Sequence, residues 1–186
     1  MLGISVQNTF QALVDAIIPR TPMLAQEYGR IQYYGALDQQ VEQFLIYELD
    51  RYPEPMAIAT ADILNAAATL WRRDQGYYGS VSFAMLSPIE RLSVLGLLRE
   101  EAQDPTILAI LSEVDPGLWM TAISMLDTYT LMGYYSEWFG YGTTRLRPPQ
   151  ERIMEFRPMS WLQIGYPGPS QGYRALRAVT LEETLF

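Results

Sequence analysis

The chain has 186 residues, 49% of them hydrophobic and 18% charged, which suits one domain with a real core and excludes disorder by composition. Thirteen Lys+Arg against twenty-one Asp+Glu leave a formal charge of −8, a poor match for a nucleic-acid backbone. Cys, His and Lys are all absent and every cation is Arg, so thiol, Ser–His and Schiff-base chemistry, a phosphate-loop lysine, structural zinc and thiolate iron–sulfur clusters are excluded.

No stretch approaches the roughly 20 apolar residues of a membrane span, so no direct membrane insertion is expected. The start, Met-Leu-Gly-Ile-Ser-Val-Gln-Asn-Thr-Phe, has no positive charge before Arg20, and Gln7, Asn8, Thr9 and Gln11 interrupt its apolar run. That is unlike a secretory signal. The only Arg-Arg pair, Arg72-Arg73, lies mid-chain and is no twin-arginine signal. The chain as given is therefore expected to be cytoplasmic, with export on a partner as the alternative.

Phe10, Leu13, Val14, Ile17 and Ile18 recur at one-face helical spacing, and Pro19 stops that helix. A loop with Pro22 and Gly29 follows, with room for one helical turn around Leu24 to Tyr28. Leu37, Val41, Phe44, Leu45 and Leu49 share the face of a second helix, from Ala36 towards Pro53. A third runs from about Pro55 with Ile63, Ala67, Leu70 and Trp71 together, and ends at the natural cap Gly76.

Ser87-Pro88-Ile89-Glu90 combines an N-cap serine, a proline at the first helical position and the glutamate of a capping box. The helix it opens is expected to reach about Gln103. Asp104-Pro105 opens a short fifth helix with Ile107, Leu108 and Leu111. Asp115-Pro116 opens a longer sixth with Leu118, Trp119, Ala122, Ile123, Leu126 and Tyr129 in register. Trp71 and Trp119 are expected in the core, and Met120, Met125 and Met132 as packing fillers. Beyond about Gly140 the spacing disappears among Pro and Gly residues. The expectation is an all-α, single-domain bundle of about six helices over 1–140, followed by an irregular, aromatic segment over 141–186.

Charge divides along the same line. Residues 1–140 carry seven Arg and seventeen acids, a sum of −10; residues 141–186 carry six Arg and four acids, a sum of +2. The segment is expected to fold back on the acidic helices in part. Arg beside Tyr and Trp is also the composition favoured at interfaces. Tyr134, Tyr135, Trp138, Phe139, Tyr141, Trp161, Tyr166 and Tyr173, with Arg157, are accordingly the candidate partner-binding residues at the surface.

Paired carboxylates are the remaining acid–base machinery. Glu100-Glu101, Glu113 with Asp115, and Glu182-Glu183 lie at helix ends or in the terminal segment, where acids are solvated. Glu137 is the one acid in an aromatic setting. Gly165 to Gly172 is glycine-rich but follows no strand and lacks the G-x-G-x-x-G order of a dinucleotide site. No catalytic, cofactor-binding or metal-binding residue is assigned.

Four segments in order carry a resemblance: Phe10 to Pro19, similar to an "L..L.D.IIP" start; Gly35-Ala36-Leu37 at a helix opening; Gly133-Tyr134-Tyr135-Ser136-Glu137-Trp138-Phe139-Gly140-Tyr141-Gly142, similar to "GFYSDPxYGG"; and Trp161 to Gly168, very like "GWxxIGYPG". The chain resembles the small subunit (subunit 3, or gamma) of gluconate 2-dehydrogenase and related FAD-dependent sugar and polyol dehydrogenases. The Asn that follows the third segment in that family is missing, and residues 143–160 look like an insertion.

The resemblance implies a non-catalytic accessory subunit supporting maturation or stability of a glucose-methanol-choline-type large subunit. The flavin would sit in that FAD-dependent dehydrogenase and no cofactor in this chain. The alternatives are a stand-alone carbohydrate- or small-molecule-binding module using the Tyr/Trp cluster, a hydrolase or lyase built on Glu137, and self-association through the aromatic segment.

Overall fold

The computed structural model describes residues 4–100 and 116–168. These residues form α-helices and 3-10 turns, with no strand among them, so the expected all-α class is the observed one. Helix α1 (Ile4–Ile17) is the centre of the packing, because Val6, Phe10, Leu13 and Val14 are buried where it meets three other helices at once. These are α3 (Val41–Leu49), α4 (Ala57–Asp74) and α5 (Pro88–Glu100). Between α1 and α3 the chain makes an arm carrying α2 (Pro22–Tyr28) and a 3-10 turn over Arg30–Tyr33. Helix α6 (Pro116–Tyr135) lies along α3, and α7 (Met159–Gln163) closes the described chain.

The punctuation read from the sequence is made by real hydrogen bonds. Helix α1 ends just ahead of Pro19. At the start of α5 the Ser87 N–H donates to Glu90 Oε2 at 2.8 Å, and the Glu90 N–H faces Ser87 Oγ at 3.5 Å, a capping box. At the end of α4, Gly76 has φ +86°, with its N–H on the Arg73 carbonyl and the Tyr77 N–H on the Arg72 carbonyl, the Schellman pattern. The second expected helix departs from the reading. Ala36–Gln39 is a 3-10 turn, Gln40 is left-handed at φ 52°, and only then does α3 begin. That break turns the direction of the chain, and both Ala36 and Val41 reach the core.

The loop from α4 to α5 is anchored by one half-buried amide. Asn65 Oδ1 accepts the Phe83 N–H at 2.9 Å and the Ser82 hydroxyl at 3.1 Å, while Asn65 Nδ2 donates to the Ala61 carbonyl and Thr9 Oγ1. Phe83 is thereby delivered to the core. Trp71 packs at the edge of the core with Arg72 over its ring, whereas the Trp119 side chain and the fifth expected helix lie outside the described residues. Met120 and Met132 are exposed on α6 and do not fill gaps; the correction is that their positions fall on its solvent side.

Helices α3 and α6 approach closely because Gly133 lacks a side chain. A Cβ there would stand 2.6 Å from Phe44 Cδ1 and 2.9 Å from Val41 Cγ1. Gly133→Ala should therefore cost about 1–3 kcal/mol by overpacking, read as a lower urea midpoint at unchanged slope. Gly96→Ala in α5, where a Cβ meets nothing within 4 Å, should instead stabilise by about 0.4–1 kcal/mol.

Candidate functional site

Helix α6 ends at Tyr135, and its last carbonyls have no partner inside the helix. The chain that follows turns through Ser136 to Trp138 and a 3-10 stretch over Phe139–Thr144, then returns as α7 across that end. Trp161 Nε1 donates to the Tyr135 carbonyl at 2.7 Å, and the buried Ser160 hydroxyl donates to the Tyr134 carbonyl. Two side chains of α7 thus cap α6. Gln163 completes the junction: its Nε2 donates to the Ile31 and Tyr34 carbonyls, and its Oε1 lies 2.6 Å from the Tyr134 hydroxyl. Burial pushes the Tyr134 phenol above its ordinary pKa, while the Gln163 bond opposes that rise.

This geometry sorts the candidate residues. Tyr134, Trp138 and Trp161, expected at the surface, are almost fully buried and belong to the core; that expectation is corrected. The physical reason is that each fills a gap between elements distant in sequence. Trp138 packs on Phe44 and Tyr47 of α3, with ring centroids 5.3 and 5.6 Å away. Phe139 and Tyr141 are half-buried, Phe139 against Phe156 and Tyr141 beneath the Arg152 guanidinium. Tyr135, Tyr166 and Arg157 are exposed as expected. Tyr173 lies outside the described residues.

Two of the exposed members, Tyr135 and Tyr166, meet in one shallow groove. Tyr135, Ser136, Glu137, Trp161, Ile164 and Tyr166 line a space of about 320 Å³, and the Tyr166 ring stands edge-on to Trp161 at 5.0 Å. Glu137 is the sole carboxylate among these lining residues, so the groove does not assemble a carboxylate pair. Of the acids weighed in pairs, Glu100 lacks a described side chain and the others lie outside the described residues. Among the described residues no three metal-ligating side chains cluster, and no helix is long and apolar enough to cross a membrane.

The expected fold-back of the last segment is observed up to Gly168, but not through ion pairs with the acidic body. The ion pairs among the described residues use no arginine beyond residue 140. Arg152 instead lies over Tyr47 and donates to its hydroxyl at 3.0 Å. Within the segment the Glu155 carboxylate takes the Thr143 hydroxyl and N–H, which holds its pKa below the usual glutamate value.

Sequence reasoning missed Ser160, Gln163 and Glu42. Gln163 stood inside a quoted motif without a role. Glu42, in the first turn of α3, carries no sequence signal of its own, yet it is 4% exposed, with Oε2 unpartnered. No family model, curated protein or solved structure matches the chain.

Two predictions follow from this burial. Trp161→Ala removes a buried ring and uncovers a helix end, and should cost about 3–5 kcal/mol in urea unfolding; Tyr166→Ala should leave the midpoint nearly unchanged. Desolvation raises the Glu42 pKa in the folded state, against the lowering effects of its own backbone, Gln11 and Arg145. The folded state therefore holds that proton more tightly than the unfolded chain. The stabilisation is full below the unfolded value of about 4.3 and is lost as pH rises through the folded value. Glu42→Gln should flatten this fall and raise the urea midpoint at neutral pH.

Proposed function

We propose that the chain is a non-catalytic accessory subunit that binds and stabilises an FAD-dependent sugar or polyol dehydrogenase of the glucose-methanol-choline type. One observation carries the reading furthest. The two most specific segments of the resemblance, residues 133–142 and 161–168, are joined to each other by the Ser160, Trp161 and Gln163 hydrogen bonds. Their outward side chains Tyr135, Ile164 and Tyr166 then form a single aromatic and aliphatic rim. Aromatic anchors on a rigid base are what a lasting protein interface needs.

Composition supports the same reading from another side, since a chain with no His, Cys or Lys is poorly equipped for proton or redox chemistry. The flavoprotein would contribute the opposing half of an interface on the order of 1,200–2,000 Å² in total. A stand-alone sugar-binding module draws less support, because Trp138 and Trp161 are enclosed and do not offer a ring face to a sugar.

Co-expression with the flavoprotein dehydrogenase encoded nearest to this chain tests the proposal. Soluble, FAD-loaded enzyme should fall several-fold without the chain. The double variant Tyr135→Ala, Tyr166→Ala should weaken the complex by roughly ten- to thirtyfold at unchanged helix content, the loss expected for one central anchor pair. A flavoprotein that is fully soluble, flavinated and active alone removes the accessory role.

A further inference from the structure

The arm between α1 and α3 carries a helix that the core does not use. Helix α2 buries none of its residues, and seven residues are too few to hold a helix in water by propensity. The arm is held at its base instead. The Thr21 N–H donates to the Tyr33 carbonyl at 3.1 Å, the Ala36 N–H donates to the Ile18 carbonyl at 2.9 Å, and Gln32 Nε2 reaches the Gln163 carbonyl. With its backbone fixed, the arm points its large side chains outward: Met23 is 81% and Tyr28 65% exposed, and Leu24 and Tyr33 are exposed beside them. Ala25, Gln26, Arg30, Tyr33 and Tyr34 line a groove of about 450 Å³ at the same place. Large apolar side chains exposed together on one short segment mark a contact surface.

We propose that this arm is the interface of a two-fold symmetric dimer, with α2 packed on α2 of a second copy. The charges on the arm select that occupant. Glu27 and Arg30 flank Tyr28 and Gly29, both are exposed, and neither forms an ion pair among the described residues. A two-fold axis near Gly29 brings Glu27 of each copy against Arg30 of the other, so the patch is complementary to itself. Gly29 has φ +99°, and nothing lies within 4 Å of where its Cβ would be, which leaves room for close approach at the axis. Arg20, the other cation of the region, is already engaged by Asp38 and stands over the Tyr33 ring.

The four large side chains offer roughly 500 Å², and the polar rim brings the patch towards the ~800 Å² that each partner gives a standard interface. The net charge of −8 opposes dimerisation only weakly at physiological salt, where charges are screened beyond about 8 Å. This dimer does not rest on the accessory role, because it uses the exposed side chains of α2 and of the turn after it, none of which belongs to the rim formed by Tyr135, Ile164 and Tyr166.

Sedimentation equilibrium of the purified full chain tests it, from low micromolar to a few hundred micromolar protein at physiological salt. The wild type should show a monomer–dimer equilibrium. Arg30→Glu and Glu27→Arg should each weaken self-association at least about tenfold, and an equimolar mixture of the two should associate again because both ion pairs are restored. Met23→Glu should leave a monomer. Since neither α2 nor the 3-10 turn that holds Arg30 buries a residue, all three variants should keep the wild-type circular dichroism, and the wild-type urea midpoint at protein concentrations where the wild type is monomeric. A wild type that is monomeric throughout overturns the proposal. So does a dimer indifferent to these substitutions, or a mixture of the charge variants that stays monomeric.

Discussion

The end of a twenty-residue helix leaves carbonyl groups that must be satisfied, and here another part of the chain satisfies them. Trp161 and Ser160 reach the carbonyls of Tyr135 and Tyr134 from α7, and Gln163 ties the Tyr134 hydroxyl to the carbonyl of Tyr34. These few bonds fix where the last described segment lies. They also bring the arm, the end of α6 and α7 into one junction. Without them the groove along Tyr135 and Tyr166 would have no floor.

Close helix approach is the second condition. Gly133 lets α6 settle onto Phe44 and Val41 of α3, and Trp138 follows by packing on Phe44 and Tyr47. The same compactness has a cost at Glu42, a carboxyl held in a nearly dry site with one oxygen unpartnered. Ionising such a group is unfavourable, so the fold works against that charge at neutral pH. The molecule tolerates the strain because α3 also buries Val41, Leu45 and Leu49.

Residues 141–168 illustrate how an irregular chain can be well determined. Among the described residues the arginines of this segment form no ion pair with the acidic helices; Arg152 lies over aromatic rings and the Thr143–Glu155 bonds close a local turn. Arginine suits this role because its flat, weakly hydrated cation stacks on rings. Surface carboxylates would return little for the side-chain order that pairing demands. Both proposed contact surfaces, the groove and the arm, are therefore anchored through hydrogen bonds and packing.

Local signals in the sequence were enough for the helix ends at Pro19, Gly76 and Ser87–Glu90, and for the apolar faces of α1, α4 and α6. Those features depend on residues a few positions apart, whose chemistry acts whatever the rest of the chain does. The left-handed Gln40, the burial of Tyr134, Trp138 and Trp161, and the dry position of Glu42 were not legible. Beyond Gly140 there is no periodicity to say which aromatic side chains turn inward. Tyr134 and Trp138 are covered through contacts with Tyr34, Phe44 and Tyr47, about a hundred residues away in the chain, and Trp161 is held at the end of α6. The amino-acid order by itself determined the all-α class, the main helix faces and the side-chain types this protein lacks. Only the tertiary structure decided which aromatic residues are core and which are surface, because that depends on which distant element covers each ring.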